Sequence, residues 1–359
     1  MKMALVTLDY PPERGGVARY LGNLVEVSQG QMDVFVHTTH PISGPGHVQS
    51  LPLLASGPVS WRAMIPQLRH LKDRGYEMVF VSHALPVGTA AWLAKRLGGL
   101  PYVVLLHGLD LRLAARSWRK KWLLKQILSS ARLVLTNSVF VAQEVKTLLP
   151  NGRTEVLLPG VESLSFPSRQ AARQQCGISA DTCQLLTVSR LVPRKGIDML
   201  LMALAHLPST CRLTIIGTGE DAERLQRLAR ENGVQDRVQF LYRVSDDERN
   251  AWYSASDIFV LPVRDEGNDV EGFGIVYLEA SLAGLPIVAG KSGGAGEAVE
   301  DHHTGLLVDP TDPIRIADAI QQLSQDPALR ERMGQAGRTR ALRDFRWSDR
   351  WKSLQSWLN

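Results

Sequence analysis

Short apolar segments alternate with longer amphipathic segments throughout this 359-residue chain. Six apolar segments lie before residue 160, and the pattern starts again after residue 180 with six more. Segments of four to six residues that are rich in Val, Ile and Leu and nearly free of charge are typical of strands buried on both faces of a parallel sheet. The alternation therefore predicts an α/β fold with two doubly wound, Rossmann-like domains in tandem.

A segment rich in Pro, Gly and Ser at residues 159–169 separates the two sets of predicted strands. It predicts a first domain over residues 1–160 and a second domain over residues 161–341. Ligands of doubly wound sheets bind beyond the carboxyl ends of the strands. We therefore expect the two domains to face each other across a cleft, with the chemistry in the loops that follow strands.

Composition disfavours several other classes of protein. The three cysteines, Cys176, Cys183 and Cys211, have no CxxC spacing, so a disulfide framework or a zinc site is not expected. No apolar run approaches the roughly 18–20 residues of a membrane span, and the N-terminus lacks the regions of a signal peptide. Residues 1–160 carry a net charge of +9 and residues 161–359 a net charge of −4. We expect a cytoplasmic protein whose first half meets an anionic surface or substrate.

Two loops of the first half place polar groups at strand ends. Gly15 and Gly16 follow the first predicted strand at a helix start, where backbone N–H groups can approach an anion closely. His107 directly follows the strand predicted at residues 102–106, where it can hydrogen-bond a hydroxyl group or a developing charge. The alternatives are a plain βα turn for the glycines and a histidine satisfied by backbone groups for His107.

The first loop of the second half, residues 189–196, contains three cations within six residues: Arg190, Arg194 and Lys195. Arginine offers a planar fork and lysine a point charge, and both suit the negative charges of a diphosphate. The alternative interpretation is a solvated basic loop.

Two glutamates of the second half also stand out. Glu271 lies in a loop with Gly272 and Gly274, whose backbone donors open a helix. Glu279 lies within that helix among apolar residues, where a buried carboxylate needs a partner. Vicinal ribose hydroxyls are good partners for one carboxylate. The alternative is a salt bridge within the helix or to a neighbouring helix.

Glu271 and Glu279, with seven residues between them, resemble the EX7E signature of retaining family 4 glycosyltransferases of GT-B fold. The Gly-Gly loop, the HGxD motif at residues 107–110 and the Arg-x4-Lys motif at residues 190–195 occur in the same order as in that family. The stretch at residues 271–297 looks most like GDP-mannose-dependent mannosyltransferases that act on lipid acceptors. The resemblance spans essentially the whole chain.

Carried onto matching positions, the resemblance implies catalytic roles for His107, Arg190, Lys195 and Glu271. Arg190 and Lys195 would neutralise the donor diphosphate, helped by the backbone of Gly16. His107 would face the transferred sugar and stabilise positive charge at its anomeric carbon through its backbone carbonyl. Asp110 matches the family's acidic position on the acceptor side.

The same resemblance implies the remaining donor contacts. Glu279 would hold the ribose hydroxyls, and Val244 would lie beside the base. Glu271 and the backbone amides of Phe273 and Gly274 would contact the sugar and the distal phosphate. Residues 1–160 would then bind the acceptor and residues 161–341 the nucleotide-sugar, while a helix at about 342–359 would pack back on the first domain.

The implied reaction is a retaining hexosyl transfer to a hydroxyl group of a lipid-linked or glycan acceptor, in which the leaving-group phosphate accepts the acceptor's proton. No carboxylate is placed as a nucleophile, so a double displacement is disfavoured. No cofactor is expected to be required, no metal ligands are predicted, and Mg²⁺ can be stimulatory. The alternatives are a UDP-sugar donor, a nucleotide-sugar epimerase or hydrolase of the same fold, and a non-catalytic protein that binds anionic lipid.

Residues 111–132 contain seven cationic side chains and no acidic one, and Trp118 and Trp122 lie in the same segment. A basic helix with Trp and Leu beside its cations fits the interface of an anionic membrane. We expect Arg119, Lys120 and Lys121 to face the acceptor or the membrane, which would place the protein peripherally on the inner face of the cytoplasmic membrane. The alternative is a helix whose apolar face packs on the sheet and whose basic face is solvated. Nucleic acid is not an expected partner.

Overall fold

The computed structural model describes residues 1–13, 15–37, 47–51, 53–54, 59–108, 111–112, 117–161, 164–267 and 269–358. The chain divides into two compact units. The first consists of Met1–Gly160 together with Trp347–Asn359, and the second is Val161–Arg346.

Within the described part of the first unit, seven parallel strands form one sheet in the order β3-β2-β1-β4-β5-β6-β7. The strands are β1 (Met3–Thr7), β2 (Met32–Val36), β3 (Val48–Ser50), β4 (Met78–Val81), β5 (Tyr102–Leu106), β6 (Leu133–Thr136) and β7 (Thr154–Val156). The helices are α1 (Gly16–Val27), α2 (Met64–Asp73), α3 (Thr89–Arg96), α4 (Trp118–Ser130) and α5 (Val139–Leu148). Strand order reverses between β1 and β4, and this is where doubly wound sheets bind ligands.

In the second unit, apart from the undescribed residues 162, 163 and 268, six parallel strands form a sheet in the order β10-β9-β8-β11-β12-β13. The strands are β8 (Cys183–Val188), β9 (Cys211–Ile216), β10 (Val238–Leu241), β11 (Ile258–Leu261), β12 (Ile287–Gly290) and β13 (Gly305–Val308). The helices are α6 (Arg169–Gln175), α7 (Ile197–Ala205), α8 (Ala222–Glu231), α9 (Asp246–Ala255), α10 (Ile275–Leu282), α11 (Ala295–Ala298), α12 (Pro313–Gln325) and α13 (Pro327–Asp344). Here the strand order reverses between β8 and β11.

In each sheet, a central strand is buried on both faces. All five residues of β5 and all four of β11 are buried, as expected for central strands covered by helices on both sides. The amphipathic helices cover the sheets with their apolar faces. α1, for example, buries Tyr20, Leu21 and Leu24. The prediction of two doubly wound parallel sheets is confirmed.

The last helix, α14 (Trp347–Leu358), belongs to the first unit and packs on α1. The Trp347 ring lies edge-on to the Tyr20 ring, with centroids 5.2 Å apart. A Cβ atom at Gly160 would come within 2.6 Å of the Trp347 ring, so this close contact requires glycine. α14 begins at Trp347, five residues later than the predicted start at 342, because α13 continues to Asp344.

Candidate active site

The loop after β8 carries the three predicted cations at the point where the second sheet reverses. The Arg190 guanidinium is exposed and forms no ion pair with the carboxylates that the structure describes. Residues Pro193–Lys195 form one turn of 3₁₀ helix, which ends at Gly196 with a left-handed φ of 66°. A Cβ atom at Gly196 would lie 2.0 Å from the carbonyl oxygen of Pro262. The loop is therefore pressed against the residues that follow β11.

Arg194 and Lys195 meet two carboxylates from the segment before α10. Arg194 Nη1 donates to Glu271 Oε2 at 2.6 Å, and Arg194 Nε lies 2.9 Å from Asp269 Oδ1. Lys195 Nζ donates to the same Oε2 atom of Glu271. Arg194 and Lys195 are each only 7% exposed and Glu271 is 9% exposed. We refer to these four residues as the ion cluster; their formal charges balance.

Burial and ion pairing act in opposite directions on the ion cluster. Burial raises the pKa of Glu271, but Lys195 and Arg194 outweigh it and lower that pKa to about 2. Burial lowers the pKa of Lys195, Glu271 opposes that shift, and Arg194 and Arg190 reinforce it. Glu271 is therefore an anion throughout the physiological pH range.

The backbone at Glu271 is fixed by two glycines that follow β12. Gly294 N–H donates to the Glu271 carbonyl at 2.9 Å. A Cβ atom would lie 2.2 Å from the Glu271 carbonyl oxygen at Gly293, and 2.0 Å from the Gly272 carbonyl oxygen at Gly294. Larger residues at these positions would push the glutamate loop away.

Glu279 lies on α10, which follows the left-handed Gly274 (φ 89°), and is 4% exposed. The Tyr253 hydroxyl donates to Glu279 Oε2 at 3.0 Å, and Arg249 Nε lies 3.9 Å from the same oxygen. Both partners come from α9, so the interhelical salt bridge that the sequence left open is present at long range, alongside a hydrogen bond from a tyrosine.

Two further predicted donor residues differ in what they can offer. The Phe273 side chain is 1% exposed and packs on Phe345 at 5.8 Å, so only its backbone can meet a ligand. Val244 is half-buried in the turn between β10 and α9. Directly after it, Ser245 and Glu248 form a capping box that fixes the start of α9.

In the first unit, polar residues follow three strands around the reversal point. Asp9 follows β1, His83 follows β4 and His107 follows β5. His83 Nε2 lies 3.1 Å from Asp9 Oδ2, and His83 Nδ1 lies 2.7 Å from Ser82 Oγ. His83 was not predicted as a site residue, although a histidine two residues after a buried strand is a signal for one.

His107 packs edge-on against the Tyr20 ring with centroids 5.3 Å apart. Burial, together with nearby His83, lowers its pKa to about 3, although Asp9 opposes the shift. The imidazole is therefore neutral at pH 7. Gly16 is the first residue of α1, as the anion-binding prediction requires. Asp110 lies outside the described residues.

Two family models divide the chain between them. The model described as Glycosyltransferase Family 4 matches residues 14–163, and Glycosyl transferases group 1 matches residues 168–340. A GDP-mannose-dependent alpha-(1-6)-phosphatidylinositol monomannoside mannosyltransferase of Mycolicibacterium smegmatis is 34% identical, over 99% of this chain and 98% of the relative. The chain belongs to the family 4 glycosyltransferases.

Two further proteins resemble this glycosyltransferase over nearly its whole length. A GDP-mannose-dependent monoacylated alpha-(1-6)-phosphatidylinositol monomannoside mannosyltransferase of Corynebacterium glutamicum is 30% identical, over 96% of this chain and 94% of its own. The sucrose-phosphate synthase structure from Thermosynechococcus elongatus superposes with a TM-score of 0.85 at 25% identity, covering 99% of this chain and 97% of that one. The GT-B fold is confirmed.

Helix α4 of the glycosyltransferase divides its residues between core and solvent. Leu124, Ile127 and Leu128 are buried in the hydrophobic core of the first unit. Trp118 and Trp122 are 76% and 57% exposed, and the predicted contact residues Arg119, Lys120 and Lys121 between them are also exposed. The leucines of this helix therefore pack inward, and its tryptophans and cations face water.

The described residues of the glycosyltransferase include neither a candidate metal site nor a candidate membrane-spanning helix. No group of three or more His, Cys, Asp or Glu side chains there is placed to hold a metal ion. Among the described helices, none is both long and apolar enough to cross a lipid bilayer.

Proposed function

We propose that this glycosyltransferase transfers mannose from GDP-mannose to a hydroxyl group of a lipid-linked acceptor, with retention of configuration. The observation that carries the proposal is the pair of near full-length relatives, both named as GDP-mannose-dependent and both acting on a phosphatidylinositol monomannoside. The relatives in question align over almost the entire chain, so both the donor half and the acceptor half contribute to the likeness.

The proposed donor contacts start from the loop after β8. Arg190 is exposed and has no carboxylate partner among the described residues, so its guanidinium is available to a diphosphate. Lys195 supplies a second positive charge, and the backbone N–H of Gly16 supplies a donor at a helix N-terminus. Together they offset the charge that develops on the leaving diphosphate.

The remaining donor contacts follow from the segment around α10. We assign Glu279 to the ribose hydroxyls, since its carboxylate is held in place by Tyr253. The backbone amides of Phe273 and Gly274 contact the distal phosphate, and Val244 contacts the base. Glu271, an anion at neutral pH, contacts the transferred sugar.

The transfer breaks the bond between the anomeric carbon and the diphosphate oxygen. The acceptor oxygen bonds to the same face of the sugar, and its proton passes to the departing phosphate. The backbone carbonyl of His107 stabilises positive charge at the anomeric carbon. Its neutral side chain adds no cation there, because its pKa is lowered to about 3 by burial first and by His83 second.

Helix α4 is the proposed membrane contact. Exposed tryptophans beside cations are typical of surfaces that sit at the headgroup level of anionic membranes. Docking there would bring the enzyme to an acceptor that stays in the bilayer, on the inner face of the cytoplasmic membrane.

The test offers the purified enzyme GDP-mannose, UDP-glucose and UDP-galactose, each with phosphatidylinositol monomannoside in vesicles. Product mass and the anomeric configuration by NMR are recorded. An α-mannosylated lipid from GDP-mannose supports the proposal. Transfer from a UDP-sugar alone, an inverted product, an epimerised nucleotide-sugar or donor hydrolysis without a lipid product would each refute it.

A further inference from the structure

We propose that Arg194 is the permanent counter-ion of Glu271 and thereby frees Lys195 to bind the donor diphosphate. Arg194 is a positioning residue in this scheme and does not touch the substrate. The inference rests on the proposed function, because it needs a donor that carries a diphosphate. It concerns a cation that the family signature, which reads only positions 190 and 195 of this loop, does not include.

Two cations in the ion cluster share one acceptor atom. Lys195 Nζ and Arg194 Nη1 both donate to Glu271 Oε2. Before a donor binds, the ammonium of Lys195 is therefore already engaged by a carboxylate. A diphosphate that recruits Lys195 must compete with Glu271 for it.

The competition would be costly if Lys195 were the only cation at Glu271. A buried carboxylate that loses its sole partner is strongly destabilised, because water does not replace the lost charge. Glu271 is 9% exposed, so it falls in this class. Arg194 removes the difficulty, because it stays on the same oxygen at 2.6 Å when the lysine departs.

Arg194 is held so that it cannot follow the lysine. Its Nε atom lies 2.9 Å from Asp269, and its backbone carbonyl accepts a hydrogen bond of 2.9 Å from Arg264 N–H. Arg264 is itself clamped by the buried Asp198 through two contacts of 2.7 and 3.0 Å. The planar guanidinium of Arg194, which has several fixed partners, therefore stays in place. The ammonium of Lys195 lies on a flexible side chain and can move towards the diphosphate.

The test compares GDP and UDP binding by calorimetry in the full chain for wild type, Arg194→Gln, Glu271→Gln and the double variant. Neither probe carries a sugar, so a role of Glu271 at the sugar does not enter the measurement. Arg173→Gln is the matched control. Arg173 also pairs with a carboxylate that is 9% exposed, that of Asp257 at 3.2 Å, but does so at the amino-terminal ends of β8 and β11.

We expect Arg194→Gln to weaken nucleotide binding by roughly tenfold or more, because Lys195 would then have to abandon a buried carboxylate. Adding Glu271→Gln removes that carboxylate, so the double variant should bind within about threefold of Glu271→Gln alone, as expected when the effect of one residue depends on its contact with the other. Glu271→Gln by itself should bind at least as tightly as wild type, because the competing anion is gone. The Arg173→Gln control should keep wild-type affinity.

Three results would overturn the inference. Wild-type affinity in a folded Arg194→Gln variant would show that Glu271 does not need the arginine. A double variant as weak as Arg194→Gln would show that Arg194 acts on the nucleotide or on the loop itself. If Arg194→Gln does not fold, Glu271→Gln decides: weaker binding than wild type means that the carboxylate does not compete for Lys195.

The same titrations separate this inference from the proposed function. If the wild-type enzyme binds UDP but not GDP, GDP-mannose is contradicted as the donor. The UDP affinities of wild type and the three variants would still test the role of Arg194, because UDP carries the same diphosphate. A wild-type enzyme that binds neither nucleotide would refute the proposed function, and the role of Arg194 would fall with it.

Discussion

Replacement of Lys195 by Ala is expected to lower turnover sharply, and to lower stability by less than the loss of a buried ion-pair partner usually does. Removing one partner of a buried ion pair ordinarily costs about 3–5 kcal/mol, because a charge is left uncompensated. Here Arg194 Nη1 remains 2.6 Å from the same Glu271 oxygen. We therefore expect the free energy of unfolding to fall by about 2 kcal/mol, the size of one hydrogen bond to a charged group.

The expected loss in catalysis is larger. If Lys195 contacts the leaving diphosphate, its removal should lower turnover by roughly 10²–10³-fold, as for one lost donor in a preorganised anion site. Steady-state transfer kinetics and thermal unfolding, measured at the same pH, give the two quantities separately. Lys146→Ala is the control, because Lys146 is an exposed lysine of α5 whose loss changes the net charge equally.

Two outcomes would refute this reasoning. A folded Lys195→Ala enzyme with kcat/KM near that of wild type would remove Lys195 from the donor site. A fall of about 5 kcal/mol in the free energy of unfolding would mean that Arg194 does not compensate the charge of Glu271 once Lys195 is gone. The hydrogen bond from Arg194 to Glu271 Oε2 would then not have the stabilising effect inferred for it.

Three further predictions test other parts of the site. Burial raises the pKa of Glu271, but two cations bring it from 4.5 to about 2, so its ion pairs stabilise the fold above about pH 4.5 and are lost as the pH falls towards 2. The wild-type melting temperature should therefore drop more steeply across that window than that of Glu271→Gln; parallel curves would contradict this. Glu279→Ala should weaken GDP binding about tenfold through loss of charged hydrogen bonds, and calorimetry that finds wild-type affinity would exclude the ribose contact. Replacing Arg119, Lys120 and Lys121 by Ala should lower the partition coefficient onto anionic vesicles by roughly 10²-fold, at about 1 kcal/mol for each cation. Sedimentation over a range of vesicle concentrations measures it, and an unchanged coefficient would leave α4 a structural helix.

The fold was predictable where burial leaves a simple pattern. β5 and β11 are buried along their whole length, and their apolar residues mark them without ambiguity. β3 was missed because it has three residues, none of them buried, at the edge of its sheet. α13 was missed because five arginines leave it little apolar periodicity, although it buries Leu329, Met333 and Ala341.

The candidate site was predictable as a set of residue types but not as a set of contacts. Arg190, Lys195 and Glu271 could be named from their motifs, and their donor roles stay predictions. That Arg194 contacts Glu271 could not be read from the chain, because the pair is 77 positions apart and meets only where β8 and β11 lie side by side. The pairing of His83 with Asp9 depends in the same way on the adjacency of β4 and β1.

The position of α14 has a practical consequence for dissecting the enzyme. The first unit is not one continuous stretch of chain, since it combines Met1–Gly160 with Trp347–Asn359. A fragment that stops at Gly160 would lack the Trp347 side chain that covers Tyr20, and a truncation before Trp347 would do the same damage from the other end. Isolated expression of the first unit therefore requires residues 347–358 to be joined after Gly160, and removing that segment takes away the buried side chains of Trp347, Trp351, Leu354 and Leu358.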